Sequence, residues 1–110
     1  MTAPVLAASP PLFVVFNSQS GRGHWPATQT ALQAACKKEG RPLTLLRLPR
    51  GQSPEPVIAR AVQGALAEGG IVAAAGGDGT INAVANHAVA RSCAFGVLPQ
   101  GTFNYFSRAH

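Results

Sequence analysis

Acidic residues are scarce in this chain. Its 110 residues include four Asp and Glu against nine Lys and Arg, which gives a formal net charge of +5. The basic residues are scattered and Lys37-Lys38 is their only adjacent pair, so the sequence lacks the basic patch typical of nucleic-acid-binding proteins. The charge balance instead favours anionic ligands such as phosphates, or weak attraction to an acidic membrane surface.

Cysteines and long apolar runs are also few. Cys36 and Cys93 lack CxxC or metal-ligand spacing, and Cys36 falls on the apolar side of a predicted helix, as a small core residue does. No apolar run approaches the ~20 residues that cross a bilayer, and the N-terminus lacks the basic region and cleavage site of a signal peptide. We therefore expect a reduced, cytoplasmic protein, with peripheral contact to a membrane as the alternative.

Short apolar segments alternate with segments of helical periodicity. Strands are predicted at 12–16, 43–48, 71–75 and 94–98. Helical stripes are formed by Trp25, Leu32, Ala35 and Cys36, then by Ile58, Ala61, Val62, Ala65 and Leu66, and finally by Ile81, Val84, Ala85, Ala88 and Val89. This alternation predicts an α/β fold, an open, mainly parallel, Rossmann-like three-layer sheet with helices on both faces, here truncated.

Residues 1–11 are rich in Ala, Ser and Pro and are expected to form a loose leader, and residues 12–110 are expected to form one α/β domain. Within that domain, Arg47 interrupts an apolar strand and indicates that the second strand lies at a less buried edge. Pro49 to Pro56 is expected to be a connecting loop.

The stretch from Ile71 to Asn82, IVAAAGGDGTIN, combines a buried strand, a glycine-rich loop and a helix N-terminus. The free N–H groups and the dipole of a helix start favour a bound phosphate. Asp78 lies inside this loop and is the only aspartate in the chain, which makes it a candidate for chemistry.

Two further loops share this character. Asn17 to Gly23 follows the first strand and Gln100 to Asn104 follows the fourth, and both offer glycines with hydroxyls or amides. Parallel strands end at one edge of their sheet, where open α/β folds bind ligands, so the three loops predict a site for a nucleotide or another phosphate compound.

Several common motifs are missing. There is no GxxxxGK[ST], which excludes a P-loop, and no GxGxxG of dinucleotide-binding folds. Ser20, His24 and Asp78 formally allow a hydrolytic triad, but no GxSxG elbow supports it.

The combination of Gly76–Thr80 with a Ser-Gly loop after the first strand and with Leu98–Asn104 resembles the diacylglycerol kinase catalytic domain family, over residues 12–108. That family includes lipid kinases and is more distantly related to NAD kinases and phosphofructokinases. The resemblance implies transfer of the ATP γ-phosphate to a lipid hydroxyl with Mg²⁺, in a cleft that binds nucleotide and meets its lipid at the membrane surface.

The resemblance also implies which residues bind ATP. In order along the chain they are Asn17, Ser20, Gly21, Arg22, Gly76, Gly77, Asp78, Gly79, Thr80, Asn82, Gly101, Thr102 and Asn104. For Asp78 three roles stay open: holding Mg²⁺ through water, helping to deprotonate the acceptor, or capping the following helix.

Some positions depart from the family pattern. Ser18 replaces a proline, Phe103 and Tyr105 replace a glycine and an aspartate, and Leu48-Pro49 stands where a hydroxyl residue often follows the second strand. The family's β-rich second domain, which supplies lipid contacts and further acidic residues, is absent from this sequence. We therefore expect the isolated chain to bind nucleotide weakly and to lack useful lipid kinase turnover.

Two other functions remain as alternatives. A kinase for a soluble substrate, of the NAD kinase type, shares the glycine-aspartate loop. A non-catalytic module could keep the fold and use Phe103, Tyr105 and Phe106 for association, so a homo-oligomer stays open.

Overall fold

The computed structural model describes residues 9–17 and 24–98, which form four strands and three helices. The elements are β1 (Leu12–Phe16), α1 (His24–Glu39), β2 (Leu43–Arg47), α2 (Glu55–Glu68), β3 (Ile71–Ala75), α3 (Asp78–Ala90) and β4 (Phe95–Leu98). The strands make one parallel sheet in the order β2-β1-β3-β4. This confirms the predicted α/β class.

Helices cover both faces of the sheet, because consecutive β1 residues point to opposite sides. Leu12, Val14 and Phe16 pack with α1, whereas Phe13 and Val15 pack with α2 and α3. Every residue of β1 is buried, as expected of a central parallel strand, while every residue of β2 is either partly buried or exposed. Arg47 therefore indicated the edge strand correctly.

The two cysteines belong to different layers. Cys36 packs in the core on the α1 side and Cys93 in the core on the α2–α3 side, and both thiols are free. Because the sheet separates them, they cannot pair within one chain. Burial raises the pKa of both thiols, which keeps them protonated and unreactive at neutral pH.

Helix α1 ends where Gly40 takes a positive φ of 67°. The N–H of Arg41 donates to Cys36 O at 2.8 Å and the N–H of Gly40 donates to Lys37 O at 3.1 Å. This is the Schellman arrangement, which satisfies carbonyls that the helix leaves without a partner. Gly40 thus caps α1, as predicted.

The chain just before β1 is held by the opposite, N-terminal edge of the sheet. Pro11 O accepts a 2.8 Å hydrogen bond from the N–H of Ile71, and Pro10 O accepts one of 2.8 Å from Arg41 Nη1. A Cβ on Gly70 would lie 2.5 Å from Pro11 O, so only glycine permits this approach. Residues 1–8 of the predicted leader lie outside the described part of the chain.

Several predicted details differ from the structure. Helix α2 begins at Glu55, inside the expected loop, with Pro in its first turn, where a missing N–H costs nothing. Strand β2 ends at Arg47 and β4 begins at Phe95, each one residue inside its prediction. Leu66 and Val89, both expected in apolar stripes, are 37% and 75% exposed.

Within the described residues, none of the helices has the length and apolarity needed to span a membrane.

Candidate functional site

Four strands end in one row at the C-terminal edge of the sheet. Phe16 is in register with Arg47 on one side and with Ala75 on the other, and Ala75 is in register with Leu98. The hydrogen bonding continues one step further, since Leu48 N–H donates to Phe16 O at 2.9 Å and Asn17 N–H donates to Ala75 O at 3.3 Å. The segments that follow β1, β3 and β4 therefore leave from a common edge, as predicted.

The turn between β3 and α3 depends on Gly76. Its φ of 151° is unfavourable for L side chains, and a Cβ there would lie 3.2 Å from Thr80 Oγ1. Gly76 therefore has a structural reason to be glycine.

Gly77 and Gly79 have no such reason. Neither has a positive φ, and a Cβ built at either position meets no atom of the described residues within 4 Å. Among residues 9–17 and 24–98, nothing fills the space beside these two backbone positions, where α3 begins. Gly76 is needed for its backbone angle, whereas Gly77 and Gly79 leave space in which a ligand can approach the backbone closely.

Donors converge at this open space. The N–H of Ile81 makes the first 5→1 bond of α3, to Gly77 O at 3.1 Å. The N–H groups of Asp78, Gly79 and Thr80 precede that bond and have no carbonyl four residues back inside the helix. Together with the positive end of the helix dipole, they form a place where an anion is stabilised.

Asp78 is the first residue of α3 and is exposed. Gly77 occupies the N-cap position and no side-chain hydrogen bond caps the helix, so the interpretation of Asp78 as a cap is wrong. In the described part of the chain its carboxylate has no hydrogen bond or ion pair. Asn82 is also exposed and lies one turn further on, so both side chains share a face of α3.

Asn17 is brought to the same place by the sheet. It is partly buried, and its N–H bonds to the residue that precedes Gly76. Of the predicted nucleotide-binding residues, the structure thus brings together Asn17, Gly76, Gly77, Asp78, Gly79, Thr80 and Asn82. Ser20, Gly21, Arg22, Gly101, Thr102 and Asn104 lie outside the described residues.

Metal binding by protein groups alone is not supported in the segments 9–17 and 24–98. No three His, Cys, Asp or Glu side chains cluster there closely enough to hold an ion. Asp78 stands alone at the anion site, so an ion held there needs most of its ligands from a bound molecule and water.

An aromatic stack at the same edge was not predicted. The rings of Phe16 and Trp25 are stacked with their centroids 4.3 Å apart and their planes at 11°. The guanidinium carbon of Arg47 lies over the Phe16 ring, 5.6 Å from its centroid. The sequence shows Phe16 at the end of one strand and Arg47 at the end of another. Their contact could not be predicted, because it depends on the register of β1 against β2.

Residues 11–110 match the family model described as diacylglycerol kinase catalytic domain, which leaves only the first ten residues unmatched. No curated protein gives a significant match to the chain.

Proposed function

The chain belongs to the diacylglycerol kinase catalytic domain family, and from this premise we propose that it is the ATP-binding half of a lipid kinase. The reaction is transfer of the γ-phosphate of ATP to the hydroxyl of a lipid at a membrane surface. Family membership supports the kinase class, and the geometry of the glycine turn supports a phosphate-bearing co-substrate.

The observation that carries the proposal is the open backbone at the start of α3. Three N–H groups precede the helical hydrogen bonds, and the two glycines beside them leave space that no side chain of the described residues fills. A polyphosphate can approach donors of this kind without displacing protein groups. Because the donors are fixed by the helix, they need no reorganisation when negative charge develops during phosphoryl transfer.

Asp78 is the proposed catalytic residue, and it also suits the metal ion that accompanies ATP. Its carboxylate is exposed and has no partner in the described part of the chain, so it is available to hold water around Mg²⁺ or to accept a hydroxyl proton. When bound, Mg²⁺ would neutralise charge on the transferring phosphate. Phosphate oxygens would provide its inner ligands, because no cluster of protein carboxylates is present in the described residues.

The remaining predicted contacts belong to the same proposal. Asn17 would contact the nucleotide beside the glycine turn, with Ser20, Gly21 and Arg22 following it. Gly101, Thr102 and Asn104 would close the nucleotide side of the cleft.

The first test measures nucleotide binding. NMR is the method of choice, because the complex is expected to be weak. Adding ATP with Mg²⁺ to the ¹⁵N-labelled chain should shift the amide signals of Gly77 to Thr80 selectively, with saturation in the millimolar range. A chain whose α3 amides do not respond to any nucleotide would contradict the proposed function.

The role of Asp78 is tested with Asp78→Asn, which keeps the shape and removes the charge. Mg²⁺ should strengthen ATP binding to the wild-type chain, and this gain should shrink about five-fold or more in the variant, since the water-mediated contact to the ion is weakened. Glu68→Gln is the matched control, because Glu68 ends α2 and lies before β3, whereas Asp78 follows β3. An equal Mg²⁺ dependence in wild type and Asp78→Asn would exclude the metal role.

Phosphoryl transfer is the second test. Radiolabelled ATP should yield no appreciable labelled diacylglycerol with these 110 residues alone, because Asp78 has no second acidic group beside it in the described part of the chain. Robust transfer would refute that expectation. Transfer to a soluble acceptor such as NAD would instead identify the other kinase type.

A further inference from the structure

The guanidinium group of Arg47 is held in place at the edge of the proposed nucleotide site. It lies over the ring of Phe16, within the ~6 Å at which a cation is attracted to an aromatic face. Its backbone is held against β1, since Arg47 pairs with Phe16 and the next N–H, that of Leu48, donates to Phe16 O at 2.9 Å. No carboxylate lies within ion-pair distance of Arg47 in the described part of the chain.

The aromatic rings under this cation are buried and stacked. Phe16 is 5% exposed and Trp25 is 9% exposed, and their rings are stacked. The indole N–H of Trp25 is buried and has no hydrogen-bond partner among the described residues. Arg47, in contrast, is exposed, so part of its guanidinium remains accessible to a ligand.

The distance from the phosphate site indicates which part of a nucleotide Arg47 would meet. Arg47, Phe16 and Ala75 are in register on three adjacent strands, so Arg47 lies two strand spacings, roughly 10 Å, from Ala75. The glycine turn starts directly after Ala75. A nucleotide with its phosphates at the start of α3 and its nucleoside extended across β1, the neighbour of β3 on that side, would bring its base towards β2.

The sequence offers little else on that side. Leu48 and Pro49 follow Arg47 and provide no hydroxyl or amide side chain. A flat cation suits a purine base, because guanidinium groups stack on aromatic rings, whereas the ammonium group of lysine does not.

We propose that Arg47 is a base-recognition residue, whose guanidinium group rests on Phe16 and stacks against the purine of the bound nucleotide. This inference rests on the proposed function, because it takes the phosphate position from the glycine turn. It assigns the nucleoside end of the ligand to β2 and the phosphate end to α3.

The test compares ATP with inorganic tripolyphosphate, both with Mg²⁺, on wild type, Arg47→Ala and Arg47→Lys. Trp25 is the only tryptophan, so its single indole N–H signal reports directly on the stack during an NMR titration. Arg60→Ala is the control, since it removes an exposed arginine from α2. Thermal unfolding of each variant confirms that it is folded.

We expect Arg47→Ala and Arg47→Lys each to weaken ATP binding by about five-fold or more, and to change tripolyphosphate binding by less than about two-fold. Arg60→Ala should leave both affinities near wild type. Equal losses for the two ligands would show that Arg47 contacts phosphate, and no loss for either would show that it contacts neither ligand. Each of these results overturns the inference about Arg47 but leaves the proposed function standing. A wild-type chain that binds neither ligand overturns the proposed function, and the inference with it.

Discussion

Substitution of Gly79 by alanine should stabilise the protein and at the same time weaken nucleotide binding. Gly79 is the second residue of α3, has no positive φ, and a Cβ there meets no atom of the described residues within 4 Å. Alanine is favoured over glycine in a helix by roughly 0.5–1 kcal/mol. For a chain of this size the midpoint of thermal unfolding should therefore rise by about 2–6 °C.

Binding should change in the other direction. The added methyl group occupies the space next to the free N–H groups, where the polyphosphate is proposed to lie, so we expect ATP affinity to fall at least about ten-fold. The assays use the same preparation: thermal and urea unfolding, both monitored by circular dichroism, and titration with ATP and Mg²⁺.

Alanine substitutions at two other glycines serve as comparisons for the changes in stability and ATP binding. Gly51→Ala has equal space but a φ of 71°, so it should lose about 0.5–1 kcal/mol of stability and bind ATP normally. Gly76→Ala combines a φ of 151° with a 3.2 Å approach to Thr80 Oγ1, and should lose about 1–3 kcal/mol. If Gly79→Ala destabilises the fold as Gly76→Ala does, or binds ATP like wild type, then Gly79 is not needed to leave space for a ligand.

Two further outcomes can be measured. Gly70→Ala should destabilise the protein by about 3 kcal/mol in urea unfolding, because its Cβ would lie 2.5 Å from a backbone oxygen of Pro11; a loss below about 1 kcal/mol would mean that the N-terminal segment moves away easily. Cys36 and Cys93 should react with a thiol reagent only on unfolding. Burial raises the pKa of both thiols, so their contribution to stability is complete below about pH 8.5, the unfolded value, and is lost as pH rises through the folded values. Above pH 9, the free energy of unfolding should therefore fall more steeply in wild type than in a double Cys→Ala variant. Equal slopes for the two proteins would contradict the prediction.

The order of elements and the class of fold could be predicted because each depends on local signals. Five consecutive apolar residues in β1 indicate a strand buried on both faces, and glycines mark the ends of α1 and α2. The exposure of Val89 could not be predicted in this way. It lies about 100° around the helix from buried Ala88, inside the apolar stripe but on a flank that none of the described elements covers.

The candidate site shows the same division. The glycine turn and the convergence of strand ends follow from sequence spacing and the geometry of parallel sheets. The difference between Gly76 and its neighbours does not, because it depends on backbone angles and on the position of Thr80. Arg47 was recognised only as a sign of an edge strand, since its contact with Phe16 requires the register of two strands that are far apart in sequence.

The hydrogen bonds that continue past the strand ends give the sheet edge, where the nucleotide is proposed to bind, a fixed length. Leu48 is bonded to Phe16 and Asn17 to Ala75, so the spacing between β2, β1 and β3 is set before any ligand arrives. A ligand with groups at both ends of this row is bound without the cost of ordering the backbone beneath it. A shorter anion can use only the α3 end. The sheet edge would thus select ligands by length.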